Sequence, residues 1–410
     1  MTPIHQRRRF LRQASALAVS SPLLSRLTFA EEKDSLPTAD DFIRGKDKRL
    51  IVHNAKVGEI ETPLALLREK GLTPKELLFV RNNQVLPETL TIEGAEIGDW
   101  QLELAGIVDK PQTVKAADLA RLPQEEIELV LQCSGNGRAR FAKTVKAEGV
   151  QWQAGAMGNV VFKGVRLKTL LDHLGVKVKP EAKFIAAEGK DSPVKAGDAD
   201  FEHSIPLADG LDRSILALSM NGEAIPKVHG GPLRLITPGY YATMNVKWVS
   251  RLRFEEQEST NHHHVGRYRT PLKRLEPGSK FTSTLANSEP NWNMRIKSVI
   301  FAPLEGEKLS AGKTEIRGVA WNDGTAKIDA VEVSTNGGNS WRRAEIKRPK
   351  SPFAWHPWSL ELDLAKGSTT ILARAVDALG RTQPLDGSVA WNPAGYAWNG
   401  VDSVTVAVGT

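Results

Sequence analysis

Cysteine is almost missing from this chain: Cys133 is the only one in 410 residues. A single thiol excludes an internal disulfide and a four-thiolate iron–sulfur cluster. No Cys-x-x-Cys-His run is present, so no covalently attached c-type haem is carried. Tyrosine is also scarce, with four copies. No apolar run is long enough for a membrane span; the mildest candidate, up to Ala30, is interrupted by serines, Pro22 and Arg26. No basic block carries interleaved aromatics, which argues against nucleic acid as a partner. The charge balance is 55 basic against 48 acidic residues, net +7. That suits an anion site, or a surface facing an acidic electron-transfer partner. Without disulfides, stability must come from core burial, and roughly 380 residues beyond the leader suffice for two domains.

The leader is present rather than absent. Arg7-Arg8-Arg9-Phe10-Leu11 followed by a weakly apolar stretch to Ala30 fits a twin-arginine export signal over residues 1–30, with cleavage after Thr28-Phe29-Ala30 and a periplasmic destination. Gln6 stands where Ser or Thr is usual. This route exports folded proteins, commonly with a cofactor already inserted.

Beyond the leader the pattern changes twice. A polar segment over 31–75 carries one expected helix, Pro63 to Lys70. Residues 76–280 alternate short β-prone runs (77–80, 100–108, 127–131, 233–237, 246–254) with helical patterns (116–121, 166–174), which reads as α+β with mixed sheets. Residues 276–289 read as a connector. Over 290–410, seven short strands recur, and Asn336-Gly337-Gly338 lies between two of them as a hairpin signal. The expected architecture is a catalytic domain over 31–285 and an immunoglobulin-like sandwich over 290–410.

Cys133 ends the apolar run Ile127-Glu128-Leu129-Val130-Leu131-Gln132 and is followed by Ser134-Gly135-Asn136-Gly137-Arg138. A lone cysteine at a strand end is either a small buried hydrophobe or chemistry. The glycine turn lets backbone approach a ligand closely. The thiolate is the form that ligates metal or attacks substrate, and Arg138 offers it a counter-charge. Taken alone, His262-His263-His264 reads as a polar loop, since adjacent side chains on an extended chain diverge and rarely share one ion.

The segment from Leu131 to Arg138 resembles the metal-ligating segment of the sulfite oxidase family of molybdopterin enzymes. The likeness continues in Phe79-Val80-Arg81-Asn82-Asn83, in Glu188-Gly189-Lys190-Asp191, in His229-Gly230-Gly231-Pro232-Leu233-Arg234, in Asn245-Val246-Lys247, in Tyr268, and in the sandwich tryptophans Trp341, Trp355, Trp358, Trp391 and Trp398. The resemblance implies a molybdenum cofactor ligated by Cys133. It implies that Phe79, Val80, Arg81, Asn82, Asn83, Asp191, His229, Arg234, Asn245, Val246 and Lys247 hold the pterin and its phosphate. It further implies Arg81, Arg138 and Tyr268 at the substrate, with Arg267 or Arg269 as further cations. Two departures stand out: Asn83 replaces a histidine, and Ala394, after Trp391-Asn392-Pro393, replaces an arginine of the substrate pocket.

The expected function is therefore periplasmic oxidation of sulfite to sulfate by oxygen-atom transfer. Electrons would pass to a separate c-type cytochrome, from a homodimer or a heterodimer with a haem subunit. The alternatives are a sulfur dehydrogenase subunit of a thiosulfate-oxidising complex, a methionine-sulfoxide-type reductase, a cysteine hydrolase using Cys133, and a non-catalytic exported binding module.

Overall fold

The computed structural model describes residues 44–84, 97–191, 199–385 and 389–409. The export signal expected over 1–30 lies outside them. Most described residues lie in strands and loops, and the helices are short.

Two sheets frame the first half. One is antiparallel and runs in the order Glu223–Ala224, Ile215–Met220, Met157–Arg166, Glu125–Gln132, with Arg234–Ile236 also on Ile215–Met220. The other is mixed, in the order Gln112–Lys115, Gln101–Gly106, Val249–Glu255, Phe184–Gly189, Glu202–Pro206, and its parallel pair is Gln101–Gly106 with Val249–Glu255. A small sheet of Ile51–Asn54, Glu59–Glu61 and Val80–Arg81 leads into the segment that carries Arg81. Of these two larger sheets one is mixed, as the alternating pattern predicts, and the other is wholly antiparallel.

Local chemistry moved several boundaries. The expected helix from Pro63 to Lys70 shrinks to Leu64–Leu67. In the run 77–80 only Val80 enters a strand, because Leu77 and Leu78 donate their backbone N–H groups to Pro74 O in a turn. The connector 276–289 ends in a strand, Ser288–Pro290, that pairs with Arg269–Pro271. The ten-residue strand Met157–Arg166 was invisible to pattern reading because glycines interrupt it. They are needed there: a Cβ on Gly164 would lie 2.1 Å from Leu216 O, and one on Gly158 2.4 Å from Leu78 Cδ1.

The second half is a β-sandwich. Lys297–Ala302, Gly312–Trp321, His356–Leu364 and Glu345–Ile346 form one sheet. Lys308–Ser310, Asp402–Gly409, Gly367–Asp377, Ile328–Ser334 and Arg342–Arg343 form the other. Their inward residues, among them Ile300, Ile316, Val331, Leu362, Ile371 and Val406, make a core of their own. The Asn336-Gly337-Gly338 turn closes its hairpin with both glycines at positive φ. Trp321 and Trp355 instead join the core of the first half. Among the described residues no helix is long and apolar enough to cross a membrane.

Candidate active site

Cys133 sits where the strand Glu125–Gln132 stops. The thiol is buried, its N–H bonds Ala156 O at 3.0 Å, and Gly135 N–H points at Sγ from 3.4 Å. The turn after it is tightly walled. Gly137 takes φ +89°, and a Cβ there would lie 2.8 Å from the Trp398 ring. The sandwich half supplies much of that wall. Trp321 Nε1 donates to Gln132 Oε1 at 2.8 Å, Ala397 N–H to Ser134 O at 2.8 Å, and Lys297 Nζ to Asn136 O at 3.1 Å.

A pocket opens over the thiol. Phe79, Arg81, Asn82, Asn83, Cys133, Asp191, His229, Arg234, Asn245, Lys247 and Tyr268 all line it. Elements remote in sequence thus bring these expected residues to one place. Val80 and Val246 are expected site residues that do not line it; both are buried in the core beside it. Arg138 also stands apart. Its guanidinium donates to Ala394 O at 2.6 Å and Val150 O at 2.7 Å and lies over the Tyr396 ring, so it braces the loop instead of lending charge to the pocket. Arg267 is exposed, and Arg269 is tied to Glu258 and Ser288. Of the arginines expected at the substrate end, Arg81 is the one that lines the pocket.

Arg81 is preorganised. It pairs with Glu59 at 3.3 Å and donates to Asn83 Oδ1 at 2.7 Å, and the Tyr268 hydroxyl donates to that same oxygen at 2.7 Å. Tyr268 is buried and holds φ +55°, a strained backbone for a bulky residue of the kind that clusters at functional sites.

The other end of the pocket is crowded with cations. Lys46 Nζ lies 2.6 Å from His229 Nε2. Arg234 donates to His229 O at 2.8 Å and Asn245 O at 3.1 Å. Lys247 donates to Asn82 Oδ1 at 2.5 Å, Val228 O at 2.7 Å and Arg81 O at 3.1 Å. Among the described residues no carboxylate accepts a hydrogen bond from any of these four. Burial, then mutual repulsion, holds His229 and Lys247 well below their ordinary values, and burial alone brings Arg234 down to about 9. Burial lowers Lys46 to about 7 and raises the Asp191 carboxyl to about 7. Asn82 Nδ2, Asn245 Nδ2 and Asp191 Oδ1 are buried with no protein partner.

These features fit a pterin phosphate. Buried basic groups with no hydrogen-bonded carboxylate partner among the described residues call for an anion, and orphaned amide and carboxyl groups call for a polar heterocycle. Among the described residues no three His, Cys, Asp or Glu side chains gather as a metal site. A metal held by Cys133 would need further donors, which the dithiolene of the molybdenum cofactor would supply.

Two features were missed or misread. Lys46 comes from a charge-rich stretch without a distinguishing pattern. The expected polar loop at His262-His263-His264 is corrected to a short helix, His262–Val265. Asn261 caps it by accepting from His263 N–H at 2.8 Å, and the turn buries His263 and His264.

Residues 89–263 match the oxidoreductase molybdopterin binding domain, and residues 288–408 match the Mo-co oxidoreductase dimerisation domain. The chain is 30% identical over 383 residues to mitochondrial sulfite oxidase of Homo sapiens, covering 91% of this chain and 68% of that protein. It is 30% identical over 390 residues to NADH nitrate reductase of Solanum lycopersicum, covering 88% and 41%. Among solved structures, the sulfane dehydrogenase SoxCD from Paracoccus pantotrophus superposes with a TM-score of 0.72 at 27% identity, covering 95% of this chain and 96% of that one.

Proposed function

Since the chain belongs to the sulfite oxidase family of molybdopterin oxidoreductases, we propose that it oxidises sulfite to sulfate in the periplasm and passes the electrons to a separate c-type cytochrome. The observation that carries this reading is Arg81, a fixed guanidinium in the pocket that also holds Cys133. The cofactor supplies oxygen-atom transfer and takes up the two electrons.

The chain's residues do the rest. Cys133 supplies the protein's ligand to the metal. Arg81, held by Glu59 and Asn83, presents fixed positive charge to a small oxyanion, so no reorganisation is needed as charge shifts. Tyr268 is aimed by Asn83 toward the same end. Lys46, His229, Arg234 and Lys247 neutralise the pterin phosphate. Export of the folded protein after cofactor insertion is the reading that the paired arginines near the N-terminus support. The domain match over 288–408 supports dimerisation through the sandwich.

A second reading has its own support. The likeness to a sulfane dehydrogenase covers nearly the whole chain, and Ala394 stands in the sequence where the sulfite enzymes that it resembles carry an arginine, its carbonyl being engaged by Arg138. A pocket with one cation fewer holds a small oxyanion less firmly, which favours another small sulfur compound over sulfite. The deciding experiment is sulfite-dependent reduction of ferricyanide by protein of known molybdenum content. Turnover that disappears in Cys133→Ala supports sulfite oxidation. Silence from fully loaded wild-type protein sinks it and leaves the sulfane reading.

A further inference from the structure

Next to the pocket lies a buried histidine pair that the chemistry above does not use. Thr243 lines the pocket, and its hydroxyl is 3.2 Å from His203 Nε2. His203 Nδ1 is 3.2 Å from His264 Nδ1, and His264 Nε2 is 3.0 Å from Glu258 Oε2. Both rings are buried, whereas the Glu258 side chain keeps 19% of its surface exposed.

The hydrogen-bond pattern fixes every proton. Ser204 N–H donates to His264 Nδ1 at 3.3 Å, so that nitrogen is an acceptor and His264 carries its proton on Nε2, pointing at the Glu258 carboxylate. His203 Nδ1 must then be the donor to His264 Nδ1. That leaves His203 Nε2 bare, to accept from Thr243. The donors Thr243 O–H, His203 Nδ1–H and His264 Nε2–H all point from the pocket to the surface. Burial, then the nearby His264, His263 and Arg269, keeps His203 neutral, as a relay through bare nitrogens requires. Burial works against ionisation of Glu258, but its hydrogen bonds from His264 and Arg269 outweigh that and hold the carboxyl below its ordinary range. Glu202 is occupied by Ser259 and Arg253, and the Tyr268 ring packs on His203 with its hydroxyl turned to Asn83.

We propose that Thr243, His203, His264 and Glu258 form a proton exit from the active-site pocket. The proposal rests on the sulfite reading for its stoichiometry. Sulfite and water give sulfate, two protons and two electrons; the electrons leave to one-electron acceptors of the haem or ferricyanide class, and the protons must leave a pocket lined with cations. A proton taken up at Thr243 Oγ1 displaces the hydroxyl proton onto His203 Nε2. The His203 Nδ1 proton passes to His264 Nδ1, and the His264 Nε2 proton passes to Glu258, which releases it to water. The rings end in the opposite tautomers. Rotation cannot move a proton between the two nitrogens of one ring, so each ring regains its starting tautomer by giving its proton to water and taking one on its other nitrogen, the state that Ser204 N–H favours at His264. The four residues act as relay and positioning groups and do not touch the transferred oxygen.

The test is ferricyanide-coupled sulfite turnover by loaded His203→Gln and Glu258→Gln protein in dilute buffer. Glu258→Gln keeps an acceptor for His264 and sits at the surface, so it reports even where His203→Gln does not fold. Turnover at saturating sulfite should fall roughly tenfold or more, the size expected when a positioned proton acceptor is lost. KM should be unchanged, the solvent deuterium isotope effect larger, and imidazole should restore the rate. Wild-type turnover and isotope effect in both variants would overturn the relay. A wild type inactive on sulfite would overturn the substrate reading instead. Nitrogen NMR of the nine histidines decides the relay independently of turnover. Protons on His203 Nδ1 and His264 Nε2 support it, and any other tautomer pair excludes it.

Discussion

Two groups of basic residues in this molecule have opposite fates. On the mixed sheet, Arg251 meets Glu103 at 2.6 Å and Glu188 at 3.2 Å, and Arg253 meets Glu188, Glu202 and Glu255 at 3.0, 2.5 and 2.9 Å. His229, Arg234 and Lys247 line the pocket and Lys46 meets the His229 ring from outside that lining, and among the described residues only backbone and amide oxygens and the His229 ring accept from them. Arginine shifts in opposite directions in the two places. Burial works against Arg253, yet the Glu255 and Glu202 hydrogen bonds hold it above its ordinary value, while burial unopposed brings Arg234 down to about 9. A paired cluster is finished by the fold. An unpaired buried cluster is finished by something the chain binds.

The largest effect should come from breaking the unfinished cluster. Arg234→Met or Lys247→Ala should yield folded protein with most of its molybdenum missing, read by metal analysis and by the loss of pterin fluorescence after oxidation. Next comes Arg81→Ala. It removes one preorganised donor and should lower kcat by about 10²–10³-fold with the metal content intact. Retained turnover would place the substrate charge elsewhere.

A third test uses pH. Burial lowers Lys46 and Lys297 to about 7, so between about 7 and 10 the unfolded chain binds more protons than the folded one. Cofactor-free protein should therefore gain stability as pH rises through that window. Lys46→Met should flatten the rise in part, as should cofactor binding, since an anion beside Lys46 restores its charge. A chemical-denaturation series would show it. The smallest effect belongs to the finished cluster: Arg251→Gln, at a half-exposed site, should cost under about 1 kcal/mol and leave metal content unchanged.

Much of this pocket was legible because its parts sit in short distinctive segments. The Cys133 turn, the Arg81 segment, the His229 to Arg234 run and Lys247 could each be placed through their resemblance to segments of one enzyme family. What was not legible depends on partners distant in sequence. Nothing in the order of residues shows that the Arg138 guanidinium is taken by Ala394 O, or that Lys46 reaches His229. The His262-His263-His264 run was misread because adjacent side chains diverge on an extended chain, whereas here one helical turn capped by Asn261 carries them inward. The long strand Met157–Arg166 hid behind glycines whose purpose appears only when Leu216 is set against them. The sandwich, with its regular alternation and Gly-Gly hairpin, asked least of tertiary information.

The thiol-bearing turn is clamped by Trp321, Lys297 and Ala397, all from the far half of the chain. Its shape is thus a joint product that neither half can make alone. Heating should show one sharp calorimetric peak rather than two, and a chain cut before the sandwich should be a poor metalloprotein rather than a smaller working one.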